Sequence, residues 1–156
     1  RTLSGQTGLH LAAESENDAI ASILLNNNID WSAVDEDGNN ALHVAVREGH
    51  IKTARVLLTE SRIDAEAWNT KGRSPFHVLA RFCDNNAAEM FDLFMECMPE
   101  YNFDKTDAEG NTPLLLAYIK VGGFYKEIIP LQQFQTIRAP EMCAAHWSRG
   151  EQFWEL

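Results

Sequence analysis

A chain of 156 residues with 45% apolar side chains is long enough for one domain or a short array of repeats, and apolar enough for a continuous core. Its net charge of −10, from 23 acidic against 13 basic residues, leaves no phosphate-neutralising footprint. That excludes nucleic acid as a partner and argues against direct contact with an anionic membrane surface.

In chain order, the first element follows "GQTGLHLAAESEN" (5–17). The phrase returns as "GNNALHVAVREGH" (38–50), as "GRSPFHVLARFCD" (72–84) and, more weakly, as "GNTPLLLAYIKVG" (110–122). The glycines Gly5, Gly38, Gly72 and Gly110 are 33, 34 and 38 residues apart, a period that signals stacked units rather than one closed globule. Thr7, Asn40, Ser74 and Thr112 precede the apolar runs and read as helix N-caps. Pro75 and Pro113 occupy the first helical position, where a missing N–H costs little. A polar break follows each first helix, and a second helix then carries "SILL" (22–25), "RVLL" (55–58) or "FDLF" (91–94). A polar, extended segment leads to the next glycine, where a tight turn needs positive φ.

The third unit predicts a longer second helix from Asn86 to Met98, stopped by Pro99. Its stripe of Met90, Phe91, Phe94, Met95 and Met98 has the spacing of one buried face. In the fourth unit Pro130 lands in the slot of Leu58, inside the second helix, and Gly122 and Gly123 weaken the approach to it. The expected organisation is repeat 1 over 1–34, repeat 2 over 35–68 and repeat 3 over 69–105. A degenerate fourth unit follows over 106–130, then a non-repeat tail over 131–156. The tail reads as poorly ordered or foreign to the array in preference to a cap. Its Cys143 and His146 are at best half a zinc site.

These phrases resemble the ankyrin repeat, whose hallmark is Thr-Pro-Leu-His-x-Ala, over residues 5 to 120. The resemblance implies an all-α ankyrin-repeat solenoid of three full repeats and a degenerate fourth. It also implies that His10, His43 and His77 are structural, tying each first helix to its neighbour. Zinc would need its ligands within about 2 Å of one ion, and residues one repeat apart do not meet that demand. Some family members carry a hydroxylatable loop asparagine; the matching slots here hold Ser32, Glu66 and Asp104, so that modification is not expected. The phrases "LLTE", "DAEA", "FDLF", "ECMP" and "LLLAY" are similar to the last ankyrin repeats of endosomal Rab effectors that combine BTB, ankyrin and FYVE domains. That likeness implies a Rab GTPase partner and a role in endocytic trafficking and macropinocytosis, peripheral on early endosomes. The zinc-held lipid site of such effectors has no counterpart in this sequence, so no cofactor or metal is expected.

Cys83, Cys97 and Cys143 are an odd, scattered set rather than a disulfide framework, which points to a reducing, cytoplasmic setting. No stretch reaches the roughly 18 apolar residues of a membrane span. A start at Arg1 without Met predicts a piece of a longer chain. No Ser-His-Asp set or phosphate loop is assembled by the repeat, so the chain reads as a non-enzyme.

Stacked repeats expose a concave surface built from loop tips and first helices. Its candidate binding residues are Trp31, Glu36, Asp37, Asn39, Arg47, Trp68, Lys71, Arg81 and Phe82. Acidic tips favour a protein or peptide with a basic patch. The two functions in view are a protein-binding scaffold and a spacer that holds other domains apart and binds nothing.

Overall fold

The computed structural model describes residues 1–27, 29–82 and 86–120, excepting the side chains of Tyr118 and Lys120. The tail over 131–156, and Gly122, Gly123 and Pro130 of the fourth unit, lie outside the described residues. Seven helices and no strand are found among the described residues: α1 (Gly8–Glu14), α2 (Asp18–Asn26), α3 (Ala41–Glu48), α4 (Ile51–Thr59), α5 (Pro75–Phe82), α6 (Ala87–Cys97) and α7 (Pro113–Lys120).

The helices begin where their caps predict. Asn40 Oδ1 accepts from the His43 N–H at 3.1 Å and Thr112 Oγ1 from the Leu115 N–H at 3.2 Å. These bonds satisfy amides that the first turn leaves without intrahelical partners. Gly49 ends α3 in a left-handed conformation, φ 75°, which a glycine adopts without the steric cost of a Cβ. Helix α6 starts after Asn86 and stops at Cys97, two residues before Pro99.

The helices stack in two rows. In the inner row α1 packs on α3, α3 on α5 and α5 on α7; in the outer row α2 packs on α4 and α4 on α6. Hairpin loops project beside the inner row and stack by single backbone bonds. Glu36 N–H donates to Ser4 C=O at 3.1 Å, Thr70 N–H to Asp37 C=O at 2.9 Å, and Ala108 N–H to Lys71 C=O at 3.1 Å. Gly38 is required twice over. Its φ is +75°, and a Cβ there would stand 2.8 Å from the Thr70 nitrogen.

The histidines form a second ladder, deeper in the stack. With the proton on Nε2, His10 donates to Asn39 C=O at 2.9 Å, His43 to Arg73 C=O at 2.9 Å and His77 to Lys105 C=O at 3.0 Å. Each Nδ1 accepts from the backbone N–H of its own cap residue, Thr7, Asn40 or Ser74. All three rings are buried, and both nitrogens of each are occupied by the array itself.

Among the described residues the main interior, accompanied by a second, smaller cluster of Ala80, Leu116 and Ala117, is an elongated cluster running from Leu9 through Leu42 and Leu57 to Phe76 and Phe94. Met90, Phe91 and Phe94 of the α6 stripe are buried in it; Met95 and Met98 pack at its edge.

Burial makes His43 and His77 sensitive to acid. Desolvation lowers the His43 pKa to about 4, against partial compensation from the Arg73 carbonyl and nearby carboxylates, and it lowers His77 as well. A depressed imidazole means that the unfolded chain binds the proton first, below pH ~6.5. Stability is therefore full above that pH and falls as the pH drops toward 4, by on the order of 3 kcal/mol for His43 alone. Urea midpoints recorded between neutral pH and pH 4 test this. His43→Gln should show a flatter profile than the parent chain; parallel profiles contradict the assignment.

Candidate protein-binding surface

The repeat register assembles the surface. Counting from the turn glycines, Ser4, Asp37, Lys71 and Glu109 share the last slot of the loop tips. Glu14, Arg47, Arg81 and Ile119 share a slot near the end of the inner helices. Stacking sets these slots side by side, and between the second and third units they enclose a cleft of about 180 Å³.

Five of the sequence-predicted residues meet there: Asp37, Asn39, Arg47, Lys71 and Phe82. Asn39 and Asn69 form one wall, joined by a 2.9 Å bond from Asn69 Nδ2 to Asn39 Oδ1. The exposed ring of Phe82 supplies most of the apolar lining, beside Val78, which is only 4% exposed. Arg81 is not among the lining residues; its guanidinium lies 5.5 Å from the ring centre of Phe82, a cation–π contact.

The other predicted residues lie apart. Glu36 is exposed at a tip, with its N–H committed to Ser4. Trp68 is 42% exposed on the third loop, its ring centre 5.5 Å from that of His77. Trp31 is half-buried against the core, under the guanidinium of Arg62 at 5.6 Å.

Sequence reasoning missed Arg73. It is a lining residue, yet only 4% exposed. Its Nε donates to Asp107 Oδ2 at 3.1 Å and its Nη2 to Glu109 Oε1 at 3.4 Å, which ties the third unit to the fourth. Burial pulls the Asp107 carboxyl up. The backbone N–H of Asn111, the Arg73 guanidinium, the Asn111 amide and the Glu109 N–H together outweigh this and hold it below the ordinary carboxylate range.

The lining has three cations, Arg47, Lys71 and Arg73, against one carboxylate, Asp37. This reverses locally the sign of a chain whose net charge is −10. The cleft is also smaller than the roughly 300–1,000 Å³ of small-molecule pockets. It has room for a side chain or two. The imidazole in its lining, His43, has both nitrogens bonded to the backbone and is not free to act as a base. Among the described residues no group of His, Cys, Asp and Glu could hold a metal ion, and no helix is long and apolar enough to cross a membrane.

Residues 1–69 match the family described as ankyrin repeats (3 copies). The chain is 59% identical over 76 residues, 49% of its length, to rabankyrin-5 of Mus musculus, and 57% identical over 75 residues, 48% of its length, to rabankyrin-5 of Homo sapiens. It spans about 6% of the length of each of these curated relatives. It is also 42% identical over 57 residues, 36% of its length and 6% of the relative's, to the nuclear factor NF-kappa-B p105 subunit of Rattus norvegicus.

Proposed function

The chain is an ankyrin-repeat protein that resembles rabankyrin-5, and from that premise we propose that it is a non-catalytic protein-binding scaffold segment acting through its concave groove. Ankyrin repeats mediate protein–protein interaction. The observation that carries the reading is the cleft shared by two units, with an exposed Phe82 in its lining and the Arg81 guanidinium against that ring, aromatic and arginine side chains being enriched at interfaces. The likeness to rabankyrin-5 supports an early-endosomal setting, a Rab GTPase partner and a role in endocytic trafficking. The chain's overall acidity steers a basic protein toward it at long range, whereas the cleft lining decides what enters.

The test uses the chain and a triple variant, Trp68→Ala, Arg81→Ala and Phe82→Ala, immobilised at equal density. Each is challenged with cytosolic protein and with purified early-endosomal Rab loaded with GTP or GDP. Binding to the parent chain that is lost in the variant, at unchanged thermal midpoint, supports the scaffold. Equal retention by both, or none by either, favours the spacer. Binding to both nucleotide states alike counts against effector behaviour.

A further inference from the structure

The cleft lining is more informative about a partner than the net charge is. Arg73 is already committed to the next unit, its Nε and Nη2 held by Asp107 and Glu109. Arg47 gives only its Nε to Glu48, at 2.8 Å, and its two terminal nitrogens have no partner among the described residues. Lys71 Nζ likewise has none among the described residues, and the side chain is exposed at a tip. Arg47 and Lys71 therefore line the same small space, and its apolar lining is the exposed Phe82 beside the largely buried Val78. Asp37 is the single opposing charge in the lining, and no salt bridge joins it to either cation.

We infer that the cleft takes a protein segment that carries an Asp or Glu carboxylate beside a large apolar side chain. The carboxylate lies on Arg47 and Lys71, and the apolar group lies against Val78 and Phe82. Arg47 offers a carboxylate the planar fork it prefers, and Lys71 adds a mobile point charge. Asp37 disfavours a second negative charge at the loop edge, so one acidic residue is selected over an acidic run. The size of the cleft limits the insertion to side chains, which suits an extended segment lying across two repeats. This inference rests on the reading of the groove as the binding surface.

The full chain is used to select from a random dodecapeptide library displayed on phage, and the enriched peptides are then measured by fluorescence anisotropy. The expected peptides place Asp or Glu beside Phe, Tyr, Trp, Leu or Ile. Their affinity falls about tenfold or more on the double substitution Arg47→Glu and Lys71→Glu, and also when salt rises from about 50 to about 500 mM. Lys52→Glu, on the exposed side of α4, leaves it unchanged. If charge reversal lowers the thermal midpoint, Arg47→Gln with Lys71→Gln serves in its place. Basic or uncharged peptides that bind and are lost on Phe82→Ala overturn the charge assignment but leave the groove standing. Peptides that bind only when phosphorylated also overturn it. Enrichment insensitive to all these variants, or no enrichment over the starting library, overturns both the assignment and the groove.

Discussion

Phe76→Ala lowers the stability of the array by about 4 kcal/mol, within the range found when a buried aromatic ring is removed from a packed core. Phe76 fills the slot held by Leu9, Leu42 and Leu114 in the other units, and it is buried. Its ring centre lies 5.8 Å from that of Phe91, 5.5 Å from Phe94, 5.1 Å from Tyr101 and 4.9 Å from Phe103. The Phe94 and Phe103 contacts are edge-on, the geometry in which the positive rim of one ring meets the negative face of another. Alanine leaves a cavity that four other rings cannot close, because they are fixed to α6 and to the following loop. Phe76→Leu restores the side chain of the other units and should recover most of the loss, since it keeps the hydrophobic contact and shrinks the void. Urea unfolding of the three proteins decides the matter. If Phe76→Ala costs no more than about 1 kcal/mol, the aromatic cluster is not a major support of the third unit.

Much of this architecture was legible because its determinants are local. A cap residue, a proline after it and a histidine three positions beyond the cap act within one helical turn, so Asn40 and His43 could be read from a few letters. Two tryptophans in polar loops looked equivalent, yet the structure separates them. Trp31 is seven residues before its glycine, in the slot of Ala65 and Phe103, which pack on or within the core. Trp68 is four before its glycine, in the slot of the exposed Val34 and Thr106. Register, not residue type, sets their exposure, and alignment on the glycines carries that signal. Arg73 was not legible in the same way. An arginine after a turn glycine reads as surface, and its burial depends on Asp107, which belongs to the next unit, 34 residues on. The cationic lining was hidden by the opposite cause. A chain with 23 acidic residues gave the expectation of acidic tips, while the sign inside the cleft depends on Arg47 and Lys71 meeting across a repeat boundary.

Asp107→Ala should destabilise the boundary between the third and fourth units by about 3–5 kcal/mol, because it strands a buried guanidinium. The exposed carboxylate of Glu109, at 3.4 Å, is the weaker of the two partners and compensates little. The same substitution removes a loop clamp, since Asp107 Oδ1 accepts from the Asn111 N–H at 2.8 Å and the Glu109 N–H at 3.0 Å. Asp107→Asn separates the two effects: an amide oxygen can keep the clamp, but it leaves the cation without its counter-charge. Adding Arg73→Met to Asp107→Asn removes the stranded charge, so the double variant should be more stable than Asp107→Asn alone. Apolar replacement of a buried pair is often close to neutral, whereas loss of one member is not. The pH dependence gives an independent check. A carboxyl held below its ordinary value contributes stability above pH ~3.9 and loses it as the pH falls through the folded-state pKa. That loss should be missing from both Asn variants, and it lies at lower pH than the His43 transition. Hydrogen exchange at the backbone amides of α7 reports where the damage falls, with faster exchange there than in α1 and α3 expected for Asp107→Ala. Substitution effects that simply add, with coupling below about 0.5 kcal/mol, contradict a bridge between the two units.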